Sequence, residues 1–156
     1  MREIKFRGYD LDSKSWVYGA YIKHIDSTPC LFTSKEEEEK WYKEHTKYLI
    51  AFDGFSDWWM PRGIDVCTSI APDSIGQFTG LLDKNKKEIY EGDIIKYTLF
   101  NNSTLYEVKY NNSTLSWQLS NKHETKNISF AFKSRLEIIG NTYENPELLK
   151  INGLER

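Results

Sequence analysis

The chain reads as a mainly-β protein with one short helix, and three observations lead there. Apolar and polar residues alternate strictly in several stretches of the second half. Clusters of Asn, Asp, Ser and Gly separate those stretches at short intervals. Only one segment carries a helix start signal, at Ser34. Alternation at period two marks a strand with one buried face, and polar clusters of that composition mark turns. We expect two lobes, an N-terminal β lobe over residues 1–73 and a second lobe over 74–145, followed by a polar tail at 146–156.

In the first lobe, Ile4 and Phe6 face one way and Lys5 and Arg7 the other. A turn containing Asp10, Asp12 and Ser13 leads to residues 16–22, which are apolar on both faces. This predicts an opening hairpin whose second strand is buried. The helix is predicted over roughly residues 34–46. Ser34 with Glu37 has capping-box spacing, and Glu36 to Glu39 set negative charge on the positive end of the helix dipole. Glu36–Lys40 and Glu39–Lys43 have i,i+4 spacing, and Trp41, His45 and Tyr48 share the face expected to dock. A loop follows at 53–63, then a strand at 64–70, which Ala71-Pro72-Asp73 ends. The lobe boundary is placed there.

The second lobe is the cleaner pattern. Tyr106, Val108 and Tyr110 oppose Leu105, Glu107 and Lys109; Leu115, Trp117 and Leu119 alternate with polar residues; so do Ile128, Phe130 and Phe132. The pentapeptide Asn-Asn-Ser-Thr-Leu occurs at 101–105 and 111–115, which reads as two similar turns bracketing one strand. A last strand is expected over 136–143. Five or so short strands joined by tight turns predict a small SH3-like barrel.

Apolar residues make up 39% of the 156 and aromatics 15%, enough large rings for a core without staples. The net charge of -2 excludes a molecule-wide footprint for phosphate. Cys30 and Cys67 lack CxxC spacing and read as buried thiols in a reducing compartment. No apolar run reaches the ~18 residues of a membrane span, and the start has no apolar signal region. A cytoplasmic protein with no membrane partner is expected.

Three blocks carry a resemblance. They are Arg2-Glu3-Ile4-Lys5-Phe6-Arg7-Gly8 with Trp16-Val17-Tyr18-Gly19; the stretch 74–95, SIGQFTGLLDKNKKEIYEGDII; and Ile138-Ile139-Gly140-Asn141 through Tyr143-Glu144-Asn145-Pro146-Glu147-Leu148-Leu149. In these the chain resembles the YopX family of phage and prophage proteins. The resemblance implies a mainly-β phage protein with an SH3-like barrel. It implies no activity and so transfers no catalytic residue. The family has Asp-Lys-Asn-Gly-Lys in the middle turn, where this chain has Lys86 after Asn85. Asn-Gly is the strongest hairpin signal, so Lys86 puts the turn type in question.

The chemistry offered by the residues is sparse. His24, His45 and His123 are scattered and neither cysteine lies near a histidine, so no metal and no cofactor are expected. The Gly residues 76, 80 and 92 do not form a phosphate loop. Asp53, Asp57 and Asp65 beside Trp58 and Trp59 are the only basis for a carbohydrate-active or other hydrolase, a second alternative. Residues 96–135 hold six cations against two acids, among them Lys96, Lys109, Lys133 and Arg135. A continuous stripe of these would favour the first alternative, nucleic-acid binding. The leading expectation is a non-enzymatic protein-interaction module with a host or phage protein as partner. The loop with Trp58, Trp59 and Arg62 is its best local feature, since Trp and Arg are enriched in hot spots. An uncovered strand edge would make homo-oligomers plausible.

Overall fold

A computed structural model describes residues 3–29, 31–52, 66–100, 102–128 and 134–148. The chain divides into two units, Lys5–Pro72 and Asp73–Arg156 with Met1–Ile4. It is mainly β with one α-helix among the described residues, as expected.

The N-terminal unit contains β1 (Phe6–Asp10), β2 (Ser15–Ile25), α1 (Lys35–His45), β3 (Thr46–Phe52) and β4 (Val66–Ser69). The strands are antiparallel in the order β4-β3-β2-β1. The β1–β2 turn is set by Asp10, whose carboxylate accepts from the Asp12 N–H at 2.9 Å and the Ser13 hydroxyl at 2.8 Å. The long strand β2 changes partner along its length. Its first half pairs β1 as far as Gly19, and Ala20 begins the pairing with β3. Gly19 sits at that change, where a Cβ would lie 2.0 Å from the Ala51 carbonyl oxygen. The expected burial of β2 is corrected: its residues are half-buried or exposed. Ile50, Ala51, Ile70 and Ala71 are the buried apolar residues instead.

Helix α1 starts as the sequence indicates. The Ser34 hydroxyl accepts from the Glu37 N–H at 3.2 Å. The Glu37 carboxylate reaches one residue further back than a capping box would, accepting from the Thr33 N–H and hydroxyl. The ion pair on the helix is Lys40–Glu44 at 3.9 Å, and the two expected pairs are not formed among the described residues. The docking is lighter than expected, for no residue of α1 is buried. Trp41 stacks on His45 at 4.4 Å, and the His45 Nδ1 lies 3.0 Å from the Asp26 carboxylate. Tyr48 is already in β3.

In the C-terminal unit, β5 (Gly76–Leu82) and β6 (Glu88–Tyr90) form a hairpin. Strands β7 (Asp93–Leu99), β8 (Asn102–Asn111), β9 (Ser116–Ser120), β10 (Thr125–Asn127) and β11 (Leu136–Asn141) form an antiparallel sheet in the order β10-β9-β8-β7-β11. This sheet is open: no pairing among the described residues joins β10 to β11. One face buries Ile95, Tyr97, Tyr106, Val108, Trp117, Leu119 and Leu136, and Leu81 and Ile89 of the hairpin pack onto it. Of the alternation read over 104–110, Tyr106 and Val108 are core as expected, but Glu107 on the opposite face is buried too and Tyr110 is exposed.

The stretch 74–95 and its partners hold backbone together. Asp83 is buried, and its carboxylate accepts from the N–H groups of Asn85 (2.7 Å), Lys87 (3.0 Å) and, far along the chain, Ile138 (3.2 Å). Lys86 takes the left-handed conformation, φ 66°. Gly92, at φ 79°, donates to the Val108 carbonyl and accepts from the Thr142 N–H, while Asp93 accepts from the Tyr90 N–H. The Asn141 side-chain oxygen accepts from the N–H groups of Tyr143 and Glu144 and turns the chain after β11.

Three expectations are corrected here. The two Asn-Asn-Ser-Thr-Leu copies differ: residues 102–105 belong to β8, whereas Asn111 caps a turn through 112–115. Leu115 is in that turn at φ 50° and is exposed. A strand is formed at Thr125–Asn127, ahead of the alternation read at Ile128, Phe130 and Phe132. Phe130 and Phe132 lie outside the described residues.

Candidate functional site

Trp58, Trp59 and Arg62 lie outside the described residues, as do Lys133 and the aspartates Asp53, Asp57 and Asp65. Cys30 does too. Cys67 is exposed on the edge strand β4, which corrects the buried thiol expected there.

Strand parity separates the remaining cations. Lys96 pairs Leu105 across β7–β8, so Lys96, Leu105, Glu107 and Lys109 share the sheet face opposite the aromatic core. There Lys109 lies 2.8 Å from Glu107, while Lys96 is paired in register with Glu137, whose carboxylate holds Lys84 at 2.9 Å. Arg135 instead lines a groove with the core-face residues Tyr97 and Leu119. The described members of the expected stripe therefore fall on two faces. The aromatics Tyr106 and Trp117 are core, as their parity required.

The groove opens where the core face runs out, at the β7–β8 end of the sheet. It is a cavity of about 250 Å3 bounded by Tyr97, Leu99, Leu119, Lys126, Asn127 and Arg135. Tyr97 and Leu119 are nearly covered and form its floor. Lys126 is fixed: it pairs with Glu124 at 2.7 Å and donates to the Tyr106 hydroxyl at 3.1 Å. The Tyr106 hydroxyl donates in turn to Glu124. The Lys126 bond holds the Glu124 carboxyl below its ordinary range, and the Glu124 carboxylate raises Lys126. Burial, then the bond to Glu124, raises the Tyr106 phenol. Arg135 is different. Its guanidinium makes no hydrogen bond or ion pair among the described residues and lies exposed at the rim.

Next to Leu99 the chain turns through Phe100, which is 90% exposed and has φ 53°. Neither packing nor backbone preference accounts for an aromatic there; both oppose it. Sequence reasoning passed over Leu99 and Phe100. The signal was an apolar pair directly ahead of Asn101-Asn102, where a tight turn favours polar residues.

A second cavity, about 320 Å3, is lined by Asp73, Glu91, Glu107, Lys109, Tyr110 and Thr142 among others. Burial raises the Glu91 carboxyl, the Tyr110 N–H bond opposes this, and the nearby Glu107 charge adds to the rise. No group of three or more His, Cys, Asp or Glu residues able to hold a metal ion occurs among the described residues. No helix among them is long and apolar enough to cross a membrane.

The molecule these elements define is a two-unit, mainly antiparallel β protein. The family model described as YopX protein matches residues 5–150, and the chain belongs to that family. Among solved structures it is similar to protein EF1440 from Enterococcus faecalis, at 21% identity and a TM-score of 0.52, with 96% of this chain and 99% of that chain covered. At that identity the likeness concerns the fold alone. No curated protein matches the chain.

Proposed function

We propose that this YopX-family chain is a non-enzymatic protein-interaction module, encoded by a phage or prophage and acting in the host cytoplasm. The observation that carries the reading is the exposed Leu99–Phe100 tip beside an apolar groove. Phe100 stands in solvent on a backbone conformation that costs a non-glycine residue about 1–2 kcal/mol. Such an outlier is retained where a contact uses it. A large ring next to an apolar pocket is the form that interface anchors take.

Nucleic-acid binding is the second reading, favoured by Arg135 lining one groove with Tyr97, since single-strand binders pair cations with stacking rings. Against it, Lys84, Lys109 and Lys126 each stand within 2.9 Å of a carboxylate. These pairs leave little field for counterion release.

The test compares wild type with a Leu99→Ser, Phe100→Ser double variant. Each is immobilised and exposed to extract from bacteria, and each is titrated against labelled oligothymidylate, duplex DNA and RNA. We expect a protein retained by wild type and lost by the variant at unchanged melting temperature. Nucleic-acid binding that survives physiological salt and requires Arg135 would replace this reading.

A further inference from the structure

We infer that the groove beside Phe100 takes a short acidic–apolar segment of a partner protein, one large aliphatic or aromatic side chain on the Tyr97–Leu119 floor and a carboxylate on Arg135. This rests on the interaction reading above and names the occupant.

The size of the cavity sets the first half. A volume of about 250 Å3 over a tyrosine and two leucines accepts one large side chain or two small ones. It lies just under the range of about 300–1,000 Å3 that drug-sized ligands fill. An extended segment placing a single anchor there would leave its neighbours at the rim, where Leu99 stands with the exposed Phe100 next to it in the chain.

Charge sets the second half. The two cations at this groove are not equivalent. Lys126 already has Glu124 at 2.7 Å and the Tyr106 hydroxyl at 3.1 Å, so its charge is matched within the fold. Arg135 carries a guanidinium with no anion among the described residues. A planar fork of donors at the edge of an apolar pocket matches a carboxylate bidentately. Asn127, on the same rim, has its side-chain oxygen taken by Ser116 and Gln118, which leaves its NH2 to donate to a carbonyl of the segment. A basic segment would meet the Arg135 charge and be repelled. The acidic cavity near Glu91 and Glu107 is lined by other residues and plays no part.

The experiment pans a random-peptide phage-display library on the full-length protein, with Arg135→Glu protein as counter-target. Enriched peptides are remade with a fluorophore and titrated by anisotropy. We expect sequences in which Asp or Glu neighbours Leu, Ile or Phe. Replacing that acid by its amide should weaken binding about tenfold, as a charged hydrogen bond is lost. Arg135→Glu should weaken it at least as much, and Leu119→Ala should do so through the floor. Arg135 is exposed, so its substitution should leave the melting curve in place. Enrichment of neutral or basic peptides that still need Leu99 and Phe100 would overturn the acidic occupant and leave the interaction reading standing. No enriched peptide at all, or selection indifferent to Phe100, Leu119 and Arg135, would overturn both.

Discussion

Replacing Lys86 by glycine should stabilise the protein, which is an unusual sign for a substitution to glycine. Lys86 is the fourth residue of the Asp83–Lys87 turn and sits at φ 66°. There a Cβ crowds the following carbonyl and costs about 1–2 kcal/mol. Glycine removes that cost but gives the unfolded chain more freedom, an offset of about 0.4–1 kcal/mol. The Lys86 side chain is exposed and makes no hydrogen bond or ion pair among the described residues, so little else is lost. The turn itself survives, because its bonds run to Asp83: the Asp83 N–H donates to the Lys87 carbonyl at 2.8 Å and the Lys86 N–H to the Asp83 carbonyl at 3.0 Å. The net gain is therefore about 0.5–1 kcal/mol, a rise in melting temperature of about 1–4 °C. Scanning calorimetry on wild type, Lys86→Gly and Lys86→Ala measures it. Alanine keeps the Cβ and should give no gain. Glycine at or below wild type, or an equal gain from alanine, would refute the argument that backbone strain at this position sets the difference.

Three other outcomes are expected. Asp83→Ala removes an acceptor for three backbone N–H groups and should cost about 2–4 kcal/mol in a denaturant titration, with Asp83→Asn recovering part of it. Gly19→Ala should cost about 1–3 kcal/mol or more, because the added Cβ meets the Ala51 carbonyl oxygen, a backbone atom that cannot turn aside. Glu91 has a raised pKa when folded, from burial first, so its protonated form is favoured by folding. Its favourable contribution is complete below the unfolded value near 4.5 and is lost as pH rises through the folded value. Glu91→Gln should therefore raise the melting temperature at neutral pH, and the gain should vanish below that value.

What the sequence makes legible here is local. Ser34 and Glu37 mark the start of α1 because capping is a contact between near neighbours. Tyr106, Val108 and Leu119 reveal the core face because period two follows from the pleat alone. Identical pentapeptides become strand at 102–105 and turn at 112–115 because cross-strand pairing outweighs local preference. The burial of β2 was misjudged for a related reason: apolar residues on both faces do not show whether a strand is covered. The groove was hidden longest. Only Arg135 among its lining residues was singled out, and its position beside Tyr97 rather than Lys96 follows from the short turn before β11, which breaks parity counting. The family signature proved uninformative about binding for a physical reason. Asp83, Gly92, Asp93 and Asn141 spend their polar atoms and backbone freedom on joining strands.

The central claim, that the Phe100 tip is a protein contact, is tested most directly by photo-crosslinking. The protein carrying p-benzoylphenylalanine at position 100 is irradiated in bacterial cells. The same probe at position 115 is the control, since Leu115 is also exposed, also at positive φ, and lies at the far end of β8. The account predicts a discrete protein adduct from position 100, absent from position 115 and diminished by Arg135→Glu. Equal adducts from both positions, adducts to nucleic acid alone, or none would contradict it.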